Sequence, residues 1–575
     1  MAGAENNPAR TGGNIARDGK YGSLRSPSAC SEVTGQAPGG SPNTPAYSPL
    51  AFGLAAIVVC LGFAAITGHI WEDYFITFRA SLNLATGRGL VFQPGERVHS
   101  FTSPLGTLLP ALFALGGGGD VALRALWGLR LVSALAFGCT LWGALRSFRR
   151  DNLIPIAAIA TATAWLLDPK TVDFAINGME TAFVVFFATF TWQAFTSGAR
   201  LWPCALACAG LQWTRPDGWV YFAAIAGAWL LLGAPREGLS WRTRSRTVLR
   251  PIAVGIVFYL PWLIVAWSYY GSPVPHTILA KAGHDSLTEI AKLLCLYPWR
   301  LLFGHVALHE AFLPAYHSLG GWPQWLHVAS RLLVIGAALA WIWPRVPTAG
   351  RIASAAFFIG GFYVACIPQA PWYFPGWQAI ALISWAYLLH ALWQVRPRTH
   401  WAANLPHSTV RIGATLIVLL QAGLFACVTW QMRAQQEAIE NGHRREIGIW
   451  LRQNAAANDT VFLECLGYIG YYSGLKMLDH PGLAAPEVVA ARRAGHQRWA
   501  DLIEVLQPKW LVLRPIDAGK VFDDRPGLGE RYQLVRTFDA TAAVNKVPLL
   551  PGHGYVMFDA VFLVYRQIPG RVLPP

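Results

Sequence analysis

Over most of the chain, long apolar runs alternate with short polar turns. Eleven of these runs are read as membrane spans: 50–69, 121–145, 153–167, 181–196, 201–214, 218–233, 251–270, 323–343, 352–367, 376–394 and 411–430. About 20 apolar residues cross a bilayer as a helix. In lipid the backbone must satisfy its own hydrogen bonds, so helices are expected throughout. The run starting near Leu50 is followed by no small-residue cleavage site, which predicts an uncleaved first span rather than a signal peptide.

Basic residues then orient the spans. The connections 146–151, 196–201, 234–250, 344–351 and 395–410 carry 3, 1, 5, 2 and 2 Lys or Arg, whereas 168–180, 215–217 and 368–375 carry 1, 1 and 0. Cytoplasmic loops hold the excess of Lys and Arg in membrane proteins. The first set is therefore expected inside, and an odd number of spans puts everything after residue 430 outside. Two long connections, about 70–120 and 271–322, also fall outside. Within the first, Pro104–Leu115 is apolar but too short to span, and is expected to lie on or dip into the interface before Gly116–Gly119.

The flanks differ from this pattern. Residues 1–48 are rich in Gly, Ser, Pro and Asn, carry Arg10, Arg17, Lys20 and Arg25, and are expected to be a disordered cytoplasmic tail. Residues 49–430 form the transmembrane part. In 431–575 the apolar content falls. Strand-like runs at Val461–Leu463, Trp510–Leu513 and Val561–Tyr565 alternate with a helix-like stretch at 486–506, which predicts a small α/β domain.

Composition agrees. Hydrophobic residues make up 54% of the 575 and charged residues only 13%, against about a quarter charged in soluble domains. The 26 Trp and 18 Tyr suit the two headgroup layers. The net charge of +15 is accounted for by the basic loops, and no basic stripe with interleaved aromatics suggests a nucleic-acid partner. The nine Cys show no CxxC; five of them (Cys60, Cys139, Cys204, Cys208, Cys427) sit inside apolar runs as small hydrophobes.

The chemically suggestive residues all fall on the outer side. Glu72 and Asp73 follow the first span directly, with Arg79 six residues after Asp73. A charge held at bilayer depth costs about 2.5–3.5 kcal/mol on insertion scales, and a carboxylate at a membrane–water cavity can act as a general base toward a sugar hydroxyl. The same two acids would also suit the start of a helix, where its dipole favours negative charge. Glu180 heads one span, Arg215 and Asp217 flank another, and His276 precedes Lys281 in the second long loop. Trp372 and Tyr373 occupy a third outer turn. Each motif alone also fits a turn or helix cap; the shared side sets them apart. His305 and His309, with Glu310 and His317 nearby, have helical spacing but no HExxH, and are read as polar surface. No Walker loop, GxSxG elbow or kinase motif set is present.

These residues resemble those of bacterial GT-C glycosyltransferases that use lipid-linked sugars, most closely the membrane arabinofuranosyltransferases of the mycobacterial cell-wall kind. The likeness runs from about 50 to 570. Its most specific piece is Glu72 to Arg79, continued by Asn83 to Ala85, Gly87, Gly89, Phe92 to Glu96 and Thr102 to Pro104. Asn177 to Thr181 is similar to the family's Gly-x-Glu-Thr turn, Arg215 to Gly218 to its Arg-Pro-Asp-Gly, and Pro275 to Lys281 to its Pro-Asn-Thr…Lys. Gly467 to Gly474 resembles the opening of its outer C-terminal domain.

The resemblance implies a mainly α fold: a polytopic GT-C-like helix bundle of about eleven spans in the bacterial cytoplasmic membrane, with an extracytoplasmic α/β domain. It implies an inverting transfer of a sugar from a polyprenyl-phosphate donor to an envelope glycan, lipid or protein acceptor. Asp73 would be the base with Glu72 beside it, and Lys281, with Arg215, Arg79 or His276, would hold the phosphate. Glu180, Asp217, Trp372 and Tyr373 would contact substrate. Membrane lipid is the other partner; no nucleotide or other cofactor is called for, with a divalent metal left as the alternative. This sequence departs from the family pattern at His276 (Asn is usual), at Glu72 (Asp is usual) and before Tyr373 (Arg is frequent), and these departures bear on sugar specificity. The alternative from another class is a transporter or flippase. Such proteins show repeated halves and midplane charges, and the chain has no internal repeat.

Overall fold

The computed structural model describes residues 47–116, 120–233, 238–281, 287–315, 317, 319, 321–367, 370–395, 407–547 and 552–569. The expected disordered tail, the Gly117–Gly119 turn and most of the 395–410 connection lie outside these residues.

Every apolar run is helical. In chain order the helices are α1 (Pro49–Thr67), α2 (Glu72–Ala85), α3 (Pro104–Ala114), α4 (Val121–Arg150), α5 (Pro155–Leu166), α6 (Pro169–Ile176), α7 (Thr181–Thr196), α8 (Leu201–Thr214), α9 (Gly218–Leu232), α10 (Trp241–Tyr270), α11 (His276–Lys281), α12 (Leu287–Phe303), α13 (Gln324–Leu339), α14 (Thr348–Val364) and α15 (Phe374–Val395). The next helix, His407–Ala434, continues without interruption through a π-helical stretch, Gln435–Arg444, into Arg445–Asn454. The drop in hydrophobicity at residue 431 thus falls inside one unbroken helix. The run begins in the bundle and ends beside the sheet.

Local chemistry sets the starts. Ser48 caps α1, accepting the Ala51 N–H at 3.3 Å with Pro49 in the first turn, and Asp120 caps α4 by accepting from Leu123 at 3.0 Å. Gly68 and Gly271 close α1 and α10 in the left-handed conformation.

Among the described residues, five helices are long and apolar enough to cross a membrane: Pro49–Thr67, Val121–Arg150, Trp241–Tyr270, Gln324–Ile342 and Thr415–Asn454. The pair α6 and α7, bent by 114°, makes a sixth if taken as one broken span. A chain with this set is a polytopic membrane protein. The sequence expectation of eleven spans is larger, because runs such as α5, α8 and α9 yield helices of 12, 14 and 15 residues. At 1.5 Å per residue these reach only roughly 18–23 Å, short of the ~30 Å hydrocarbon core.

The bundle core is wide and aromatic, with Trp165, Trp192, Trp229, Trp377 and Tyr387 fully buried. Its two ends are built from alternate connections. At one end Arg150 donates to the Ser197 hydroxyl, Tyr387 to Asp151 at 2.5 Å and the Trp192 indole to the Ala349 carbonyl at 2.9 Å, bringing 146–151, 196–201 and 344–351 together. At the other end lie α2, α3, α6, α11 and the turns before α7, α9 and α15. Among the described residues, three of the five basic connections thus meet at one end.

The C-terminal residues form a five-stranded sheet: β1 (Thr460–Leu463), β2 (Lys476–Asp479), β3 (Trp510–Leu513), β4 (Tyr532–Asp539) and β5 (Val561–Gln567), in order β2-β1-β3-β5-β4. β1 runs parallel to β2 and β3, with Thr460 opposite Lys476 and Val461 opposite Trp510, whereas β5 is antiparallel to β3 and β4. The sequence pattern signals β1, β3 and β5. It misses β2, which has four residues, and β4, an edge strand with exposed faces. The expected helix at 486–506 is two helices, Pro486–Arg493 and Trp499–Leu506, parted by Gly495 at φ +103°.

Candidate functional site

The end of the bundle that carries α2 and α11 encloses a cavity of about 700 Å³. Its wall includes Asp73, Glu180, Arg215, Asp217, Lys281, Trp372 and Tyr373, drawn from five separate stretches of chain. The sequence had singled out each of them.

Asp73 gets its place from the start of α2. Glu72 and Asp73 occupy the first turn of that helix, so the helix-start reading describes both acids, and Asp73 also lines the cavity. The entry to α2 is fixed from beneath. Arg130 donates to the carbonyls of Gly68, His69 and Ile176, His69 Nδ1 lies 2.7 Å from Asp173, and the Trp71 N–H donates to the Asn177 carbonyl at 2.8 Å. That last bond ties the acidic pair to the turn bearing Glu180. Gly178 in this turn has φ +103°, and a Cβ there would stand 2.6 Å from the Tyr74 ring. Only glycine lets the turn pack on α2.

Glu180, Arg215 and Asp217 form one unit. Arg215 donates to Glu180 at 2.9 Å and to Asp217 at 2.8 Å, and its guanidinium lies 4.8 Å from the Tyr373 ring centre. Tyr363 donates to the other Asp217 oxygen at 2.8 Å, and the Tyr221 hydroxyl donates to the Tyr373 carbonyl at 3.3 Å. Burial raises both carboxyls. At Asp217 the Arg215 charge and the Tyr363 hydroxyl overcome it and hold the group below its usual value; at Glu180 burial prevails and the group is raised. With two carboxylates on one guanidinium, Arg215 is compensated within its own cluster.

Lys281 ends α11, is exposed, and lies 5.9 Å from the Trp372 ring. Trp372 in turn meets Trp71 edge-on at 5.9 Å. Burial raises the Asp73 carboxyl, while Lys281, Glu72, Arg444 and Arg215 pull it down. Lys281 is therefore electrostatically coupled to Asp73 across the cavity.

Three of the sequence candidates lie elsewhere. Arg79 is buried and donates to the carbonyls of Gly470, Leu475 and Gly474 and to Gln93, with its guanidinium 4.3 Å from the Phe92 ring. It fastens α2 to the C-terminal region; it is not a phosphate ligand of this cavity. His276 turns toward the C-terminal region, where Gly482, Arg493 and Glu487 face it, and burial holds it below its ordinary value. Only its backbone is anchored at the site, donating to the His99 carbonyl at 2.9 Å. Glu72 faces away from the cavity and accepts the Gly467 N–H.

The structure adds residues beyond the candidate set. Thr77, Ser100, Thr102 and Thr277 line the cavity; the Ser100 and Thr277 hydroxyls are buried with no partner among the described residues. Tyr363 sits in an apolar run, and Leu483 comes from the C-terminal region. Thr77, Thr102 and Thr277 stood inside quoted motifs; Tyr363 and Leu483 carried no local signal. Among the described residues no cluster of three or more His, Cys, Asp or Glu could hold a metal ion. His309 spends its imidazole on the Leu301 carbonyl at 2.9 Å.

A model of a family described as a domain of unknown function (DUF8728) matches residues 430–558. Two curated relatives share the name terminal beta-(1->2)-arabinofuranosyltransferase. The one from Corynebacterium glutamicum is 30% identical over 244 residues, covering 38% of this chain and 34% of that protein. The one from Mycobacterium tuberculosis is 30% identical over 254 residues, covering 40% of this chain and 37% of that protein. The matches thus span little more than a third of those relatives. The cryo-EM structure of the arabinofuranosyltransferase AftD from Mycobacteria aligns with 90% of this chain and 40% of that one, at 16% identity and a TM-score of 0.46.

Proposed function

We propose that this protein is an inverting glycosyltransferase of the GT-C type, working at the outer face of the bacterial cytoplasmic membrane. The donor is a sugar on polyprenyl phosphate and the acceptor a hydroxyl of an envelope glycan, lipid or protein. In this reading the apolar runs make eleven spans, the short helices completing the bundle. Residues 1–48 lie in the cytoplasm, 49–430 form the membrane domain and 431–575 an outer domain.

One observation carries the reading: a carboxylate and a lysine with no ion-pair partner among the described residues, Asp73 and Lys281, share the wall of a single cavity at the bundle end opposite the basic loops. Asp73 takes the proton of the acceptor hydroxyl. The acceptor oxygen bonds to the anomeric carbon from the face opposite the phosphate, the carbon–oxygen bond to phosphate breaks, and polyprenyl phosphate leaves with the bonding pair. Lys281 faces the charge that collects on that phosphate. Arg215 plays a lesser part, because Glu180 and Asp217 already balance it. Its ion pairs instead hold two carboxylates and the Tyr373 ring in place to meet sugar hydroxyls and a sugar face. The curated relatives make arabinofuranose the first donor sugar to test.

The test is transfer by the purified protein in lipid nanodiscs, with radiolabelled polyprenyl-phosphate arabinofuranose and other pentose and hexose donors. Label moving to a carbohydrate acceptor supports the enzyme. Movement of the intact donor between leaflets, with no transfer from any donor, would replace this reading with a flippase.

A further inference from the structure

The helix α11, which ends in Lys281, has only 6 residues. Helices shorter than about 12 residues are marginal on their own in water, so the place of α11 is set by what grips its ends. At its start the His276 N–H donates to the His99 carbonyl at 2.9 Å. At its other end the carbonyl of the buried Ala280, beside Lys281, accepts from Arg492 Nη1 at 3.1 Å. The last carbonyls of a helix have no partner inside it, and a basic side chain is well suited to take them.

Arg492 belongs to the helix Pro486–Arg493 of the C-terminal region. The same Nη1 donates to the Pro481 carbonyl at 3.2 Å. One guanidinium nitrogen therefore bridges the end of α11 and the turn that follows β2. That turn is itself firmly built. The buried Asp479 carboxylate accepts the N–H groups of Leu483 and, at 3.0 Å, of Ala484, and the Gly482 N–H donates to the Asp479 carbonyl at 2.7 Å. Gly482 has φ +80°, and a Cβ there would stand 2.7 Å from the Val489 side chain. Leu483, the next residue, lines the cavity together with Lys281.

A second link runs alongside. Lys476 in β2 pairs with Glu96, in the loop that leads to His99, at 2.6 Å and with Glu487 on the Arg492 helix. Both grips on α11 thus lead back to the sheet edge at β2.

We propose that Arg492 is a positioning residue of the donor site. By holding the Ala280 carbonyl it sets the Lys281 ammonium where the phosphate of the lipid-linked donor binds, which makes the C-terminal region a working part of donor recognition. The inference rests on the reading of Lys281 as the phosphate ligand.

Donor affinity is measured by titrating a non-transferable polyprenyl-phosphate sugar analogue into the full-length protein in nanodiscs. Arg492→Ala should weaken binding about ten-fold, as much as Lys281→Ala, because a group misplaced by about 1 Å loses most of its effect. The two losses should not multiply: once Lys281 is alanine, Arg492→Ala should add less than about two-fold. Losses that multiply to about a hundred-fold would make Arg492 independent of Lys281 and overturn the proposal. So would wild-type affinity in Arg492→Ala. In turnover the donor KM should rise, with kcat and the acceptor KM little changed. A lower kcat with both KM values unaltered would mark a merely structural role. If Arg492→Ala does not fold, Arg492→Gln, too short to bridge both carbonyls, takes its place under the same criteria. Hydrogen exchange over residues 276–281 reads the bridge without any donor: it should be faster in the Arg492 variant, and an unchanged rate overturns the proposal. If the wild type binds no lipid-linked sugar phosphate, the proposed function fails, and the exchange arm still decides whether Arg492 orders α11.

Discussion

Arg215 meets Glu180, 35 positions earlier in the chain, at 2.9 Å across the cavity wall, with side chains only 12% and 10% exposed. The pair joins the turn before α7 to the turn before α9 and, through Tyr373, to the turn before α15. Arg215→Ala would leave two carboxylates facing each other without a cation. Breaking a buried pair this way costs about 3–5 kcal/mol, so a matching drop in unfolding free energy is expected in detergent. A variant as stable as wild type would show that the cluster is solvated and adaptable.

Asp73→Asn removes the proposed base while keeping the side-chain shape. Transfer should fall by about 10²–10⁴-fold, with insertion and donor binding retained. Near wild-type turnover would exclude Asp73 from the chemistry.

The acid side of the rate profile follows from the same group. Burial raises the Asp73 carboxyl above its ordinary value, and Lys281 opposes that rise. The ionised base should therefore be lost at a pH higher than for an exposed aspartate. In Lys281→Ala the opposing cation is gone, so the acid limb should move further toward neutrality. A limb that stays put, or moves to lower pH, contradicts the coupling.

Lys281 is exposed, so its removal should leave stability unchanged. A charge-assisted contact to phosphate contributes about 1.5–3 kcal/mol when well shielded. With solvent screening, Lys281→Ala should weaken donor binding about ten-fold, measured by titration of a non-transferable donor analogue.

Arg79 makes the opposite prediction. Its guanidinium serves four acceptors, three of them carbonyls of residues 470–475. Arg79→Ala should destabilise the protein by at least about 3 kcal/mol, since each buried acceptor left unmatched carries a penalty. Donor affinity of the folded fraction should be unaltered. Weakened donor binding at full stability would return Arg79 to the phosphate site.

The sheet carries a parallel lesson about what local pattern can signal. β1 and β3 lie inside the sheet as short apolar runs, and their sequences announce them. β2, Lys476–Asp479, opens with a lysine that pairs with Glu96 at 2.6 Å, and it becomes a strand by pairing with β1. Tertiary partners, absent from the local pattern, decide such a segment.

By itself the sequence determined which segments are helical and, for the basic connections among the described residues, which share an end of the bundle. Both follow from one-dimensional physics: the run length needed to bury a helix in hydrocarbon, and the bias of Lys and Arg to one side. It also supplied the charged residues of the cavity wall with two of its aromatic ones, because Asp73, Glu180, Arg215, Asp217, Lys281, Trp372 and Tyr373 stand at the ends of apolar runs, where a polar side chain is conspicuous. Only the tertiary structure decided what each charge does. Arg79, Arg215 and Lys281 look alike along the chain. Folding gives the first to backbone carbonyls, balances the second with two carboxylates, and leaves the third facing Asp73. It likewise turns Glu72 and His276 toward the C-terminal region and brings Tyr363 from an apolar helix onto Asp217. A charge acts through its partners and its solvent, and both are set by contacts between residues far apart in sequence.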